Sequence, residues 1–96
     1  MLALGATLST AQAYTQCTKK IDRIWTGDDG NVWLHFADDG GVKILSTDPD
    51  KEAILAAAMT ALVSDLYMIV RYTANDVPCA EDGRDDVRGV YLTRDR

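Results

Sequence analysis

Only one stretch of this chain reads as a helix, and its place between two groups of short strand-like runs limits what the remainder can form. That stretch is residues 48–67, DPDKEAILAAAMTALVSDLY. Asp48 can cap it, Pro49 suits its first position, and Asp50 and Glu52 favour the positive end of the helix dipole. Leu55, Met59, Leu62 and Leu66 fall on one stripe at the i, i+4, i+7, i+11 spacing of a core-facing side. The opposite side carries Ala53, Ala56, Ala57, Thr60, Ala61 and Ser64, with no charge between Glu52 and Asp65. A helix on the surface of a monomer normally carries Lys or Glu there, so this one is expected to pack on two sides. The small-residue side is the candidate subunit interface.

The chain of 96 residues makes one domain. Its first stretch is expected to stand apart. Residues 2–9 are an apolar run, and Ala11-Gln12-Ala13 is a small-residue cleavage signal, so residues 1–13 read as the remnant of a signal peptide that lacks its usual basic start. The alternative is a disordered or helical N-terminal tail. Residues 14–96 are then the folded domain, secreted or periplasmic. A domain of that size buries a modest core and often needs a staple or partner subunits. Cys17 and Cys79 supply the staple if they pair, as export and an even cysteine count favour, and closing that loop would stabilise the fold by about 4 kcal/mol. Two separate buried thiols are the other possibility.

Charge excludes some functions. Ten Lys and Arg face fifteen Asp and Glu, a net charge of −5, and no basic patch of the kind a nucleic-acid binder needs is visible. The apolar residues 53–70 contain Asp65 and follow a charged cap, so no membrane span is expected.

Taken in order, residues 19–26 read as a first strand and Gly27-Asp28-Asp29-Gly30 as a tight turn. Residues 31–37 are the clearest strand, with Val32, Leu34 and Phe36 alternating against Trp33 and His35. Asp38-Asp39-Gly40-Gly41 turns the chain into a third strand, residues 42–45. After the helix, residues 68–74 alternate Met68, Val70 and Tyr72 against Ile69, Arg71 and Thr73, residues 75–88 are a polar connection, and residues 87–93 are a fifth strand. The fold class expected is mostly β with one central helix, in the order β-β-β-α-β-β. That is the order of an OB-fold, a five-stranded, partly open barrel. An unrelated α+β meander is the alternative.

The exported leader, Cys17, Lys20-Ile21, the Asp29-Gly30 hairpin, the small-residue helix, Val70-Arg71-Tyr72, Cys79 and Gly89-Val90-Tyr91-Leu92 together resemble the B subunits of bacterial AB-type toxins, the pertussis-like and subtilase cytotoxin kinds, and small exported bacterial proteins similar to them. The resemblance implies an OB-fold, a pentameric homo-oligomer with helices around a central axis, glycan recognition on the outer face and a possible A-type catalytic partner.

Trp33, His35, Lys43 and Arg71 are the candidate ligand-binding residues, expected to share the outer face of the sheet. Aromatic rings stack on sugar faces and Arg fixes hydroxyls through directed hydrogen bonds. Trp33 and Trp25 could instead lie at a subunit contact. No catalytic residues, metal ligands or cofactor are expected. There is no G-x-S-x-G or H-E-x-x-H, a paired cysteine is no nucleophile, and Asp28-Asp29, Asp38-Asp39 and Asp85-Asp86 read as solvated turns. The reading is thus a non-catalytic exported binding module. The alternative is a small periplasmic inhibitor that plugs an envelope hydrolase with its acidic loop, residues 81–86.

Overall fold

The computed structural model describes residues 14–96; the expected leader, residues 1–13, lies outside the described residues. The elements run β1 (Thr15–Gly27), β2 (Asn31–Phe36), β3 (Gly41–Ile44), α1 (Lys51–Ser64), β4 (Tyr67–Tyr72) and β5 (Val87–Thr93). All neighbouring strands are antiparallel, in the sheet order β3-β2-β1-β4-β5.

β1 is the axis of this arrangement and is longer than residues 19–26. Its first half, from Thr15 to Lys20, pairs with β4, and from Ile21 onward it pairs with β2, with a bulge between Ile21 and Arg23. Changing partners along one strand lets it serve two ladders, and a bulge supplies the bend this requires. The β1–β2 turn is built from Asp28, Asp29 and Gly30, all at positive φ, where Asp and Gly are tolerated.

The expected alternation holds wherever a strand has one buried face. Val32, Leu34 and Phe36 from β2 and Met68, Val70 and Tyr72 from β4 all point into the core. They meet Cys17 and Ile21 of β1, Val42 and Ile44 of β3, and Val87 of β5. Among the described residues Lys19 is the one buried charged residue, and its Nζ is fully occupied. It donates to both Asp38 carboxylate oxygens (3.3 and 3.2 Å) and to the Asp39 carbonyl (3.0 Å), above the Phe36 ring.

The sheet does not close into a barrel, because β3 and β5 share no ladder. The segment before β5 partly spans the gap. Lys43 N–H donates to the Arg84 carbonyl (2.8 Å), Gly83 N–H to the Gly41 carbonyl (3.1 Å), and Val42 bridges Arg84 in parallel. This segment crosses so close to the β2–β3 turn that a Cβ on Gly40, at φ +82, would lie 2.6 Å from the Glu81 carbonyl oxygen. The disulfide Cys17–Cys79 ties the same connection to the inner face of β1.

The helix corrects the expected pattern. Ile54, Ala58 and Ala61 are its buried residues, and α1 lies chiefly on β1, with β5, β4 and β2 beside it. Of the expected core stripe, Leu55 and Leu66 are only half-buried at the rim, while Met59 is 52% and Leu62 40% exposed. Alanine lets the helix backbone approach the strands closely; the longer side chains would hold it off. The cap also shifts. Asp50 is the N-cap with no side-chain cap bond, and Asp48 Oδ1 accepts the Asp50 N–H (2.8 Å) in the turn before it. Asp65 ends the helix in the left-handed conformation that glycine usually takes, and Lys20 pairs with its carboxylate at 2.6 Å.

Candidate functional site

Strand register sorts the four candidate ligand residues into two places rather than one. Trp33, His35 and Lys43 do share a surface. Trp33 stands opposite Trp25 on one side and Lys43 on the other, and His35 opposite Arg23 and Gly41. The Lys43 ammonium lies 5.3 Å from the Trp33 ring centre. Trp25, half exposed, folds over Gly27, and a shallow hollow between Arg23, Ile24, Trp25 and His35 completes this patch.

Arg71 belongs elsewhere. It stands opposite Gln16, in the half of β1 that pairs with β4, whereas Arg23 and Trp25 lie in the half that pairs with β2. Seven residues of strand separate Gln16 from Arg23, roughly 20 Å. The expectation of one shared surface fails because β1 is long enough to carry two.

Around Arg71 the structure assembles residues that the sequence reading did not single out as ligand contacts. Gln16 Oε1 accepts from Arg71 Nε (3.0 Å) and Nη2 (2.7 Å), and the Tyr91 hydroxyl accepts from Nη2 (3.2 Å). The guanidinium carbon lies 4.2 Å from the Tyr14 ring centre and 5.6 Å from that of Tyr91. The signal available in sequence was positional: Gln16, Arg71 and Tyr91 all occupy outward positions once β1, β4 and β5 are in register.

The candidate subunit interface divides as well. Ala61 is buried against its own strands, Ala57 is half-buried, and Ala53, Ala56, Thr60 and Ser64 are exposed. They share the outer side of α1 with Met59 and with Val63, which is 85% exposed. The result is a helix face that is apolar or small from Ala53 to Ser64, with Leu66 and the exposed Leu92 of β5 around a hollow at its C-terminal end.

The acidic loop is internally engaged. Arg84 holds Asp86 through Nε and Nη2, both at 2.8 Å, and reaches Glu81 through Nη1. Those bonds lower the Asp86 carboxyl below its ordinary range against an opposing effect of burial, and raise the Arg84 guanidinium. Arg84 also covers the ring of Tyr72, whose buried phenol is pushed up to about 12. Both cysteines are taken by the disulfide, and among the described residues no helix is long and apolar enough to cross a membrane. Comparison of the chain with protein-family models, with curated proteins and with solved structures gives no match.

Proposed function

We propose that this chain is a non-catalytic, secreted or periplasmic binding module that assembles with copies of itself through α1 and displays the outer faces of its strands to glycans or another cell-surface ligand. One observation carries the reading: the outer face of α1 presents Met59, Val63 and a flank of small residues to water with no charge between Glu52 and Asp65. Single exposed apolar residues are ordinary, but a continuous face of them marks a contact surface. The interface is therefore placed on Ala53, Ala56, Met59, Thr60, Val63 and Ser64, with Ala61 given to the core.

The OB-like design belongs to the same proposal. It is supported by a β1 shared between two ladders, a helix between the third and fourth strands, and the bonds that bring the chain before β5 onto β3. The disulfide supports export. A ring of five copies, and a catalytic partner resting on it, follow from the toxin resemblance and are held at that level.

Sedimentation of the oxidised protein tests the assembly. The wild type is expected to sediment as an oligomer at micromolar concentration and Val63→Glu as a folded monomer. A glycan array on the same protein, repeated with Trp33→Ala, tests the ligand class. Loss of signal with assembly intact supports a ligand role for Trp33. Loss of assembly instead assigns Trp33 to the subunit contact.

A further inference from the structure

Gly89 lies in the middle of β5, yet neither its backbone nor its surroundings call for glycine. Its φ is not positive, and an added Cβ would meet nothing within 4 Å. Glycine weakens a strand interior, so its place here suggests a need for open space. That space is a depression of about 220 Å³ lined by Arg71, Arg88, Gly89, Val90 and Tyr91.

Register explains how it forms. Arg71 is paired with Gly89 on one side and Gln16 on the other, and the irregularity between Arg71 and Tyr72 leaves Arg88 as the extra residue of β5. Two arginines thus border one hollow. Neither takes part in any ion pair among the described residues, although Lys19, Lys20, Arg23, Lys51 and Arg84 all do. Arg71 is nonetheless held in a fixed plane by neutral partners, the rings of Tyr14 and Tyr91 and the acceptors of Gln16 and Tyr91. Its bonds use Nε–H and Nη2, and its Nη1 donors have no partner among the described residues. A guanidinium fixed in this way keeps charged Nη1 donors for an oxyanion, and a second arginine beside it adds to the positive charge.

We propose that the Arg71–Gly89 depression binds an oxyanion, a carboxylate or sulfate, borne on a small polar molecule such as a sugar. Arg71 Nη1 and Arg88 donate to its oxygens, the Tyr91 ring flanks its carrier, and Gly89 leaves the floor open. This deepens the reading as a binding module and rests on it for the kind of ligand. It needs no assembly.

The test is a titration of the oxidised wild-type protein with glucuronate, glucose 6-sulfate and glucose, followed by NMR at the backbone amides of β4 and β5. Saturable shifts with either anionic sugar and none with glucose are expected, and comparing the two anions separates carboxylate from sulfate. Arg71→Gln and Gly89→Val should each weaken binding at least about tenfold, while Arg94→Gln, which removes a charge from the tail, should leave it unchanged. Gly89→Val keeps the strand and only fills the hollow, so it decides the matter even where Arg71→Gln fails to fold. Absence of saturable shifts with both anions overturns the proposal, as does unchanged binding by Gly89→Val. Sedimentation of the same samples separates the two readings. An assembled protein that ignores both anions sinks this site alone, and a monomer that binds them sinks only the assembly.

Discussion

Two glycines near opposite edges of the sheet should answer differently to the same added methyl. At Gly40, Ala would combine a positive φ with a clash against the Glu81 and Ala80 carbonyls, and the expected loss is about 2 kcal/mol or more by urea unfolding. At Gly89, Ala has open space and an ordinary backbone, and stability should rise by about 0.5–1 kcal/mol. Two carboxylates and one phenol set the pH range. Asp86 is lowered by its bonds to Arg84. Asp38 is lowered too, since the Asp39 N–H and Lys19 outweigh the upward pull of burial. Both hold protons less tightly folded than unfolded. Their contribution is complete above the ordinary Asp range, about pH 4, and is lost as pH falls through the lower folded values. Asp86→Asn should flatten that acid limb in a series of melting temperatures. Tyr72 has the opposite sign. Burial raises its phenol to about 12, so its contribution is whole below about pH 10 and declines above it; Tyr72→Phe should remove the alkaline decline.

Among the elements, the strands were legible in the sequence apart from the start of β1, residues 15–18, and the helix orientation was not. β5 runs over the expected residues 87–93, and β2 and β4 bury the residues their alternation marked. A period of two leaves only two choices of face, and one of them is visibly polar. On α1 the apolar residues are spread almost evenly around the axis, so periodicity could not choose between the stripe of large residues and the stripe through Ile54, Ala58 and Ala61. The decision was made by how closely the backbone must approach β1, which depends on a partner distant in sequence. The Arg71 cluster was hidden for the same reason: Tyr14, Gln16, Arg71 and Tyr91 meet only through the register of three strands. Substitutions on the helix should separate its two faces. Ala58→Leu overpacks the core and should cost about 1–3 kcal/mol. Met59→Lys, on the outer face, should alter stability by less than about 0.5 kcal/mol while weakening assembly.

The whole molecule is an open sheet tied shut by its last connection. Residues 79–84 reach across the edge of β3, and the Cys17–Cys79 bond anchors their start to the core. Replacing both cysteines by Ser should cost about 4 kcal/mol, a large share of the stability of so small a domain, as read by denaturant unfolding of the double variant. Covering the β3 edge with its own chain also removes one site for strand-to-strand pairing between copies. The β5 edge stays open, and the proposed contact between copies is instead the outer face of α1, with its exposed Met59 and Val63. Sedimentation equilibrium of the oxidised protein at micromolar concentration, beside Val63→Glu, tests this most directly. A wild-type oligomer and a folded Val63→Glu monomer are the predicted outcome. A monomeric wild type, or an oligomer that Val63→Glu leaves intact, would contradict it.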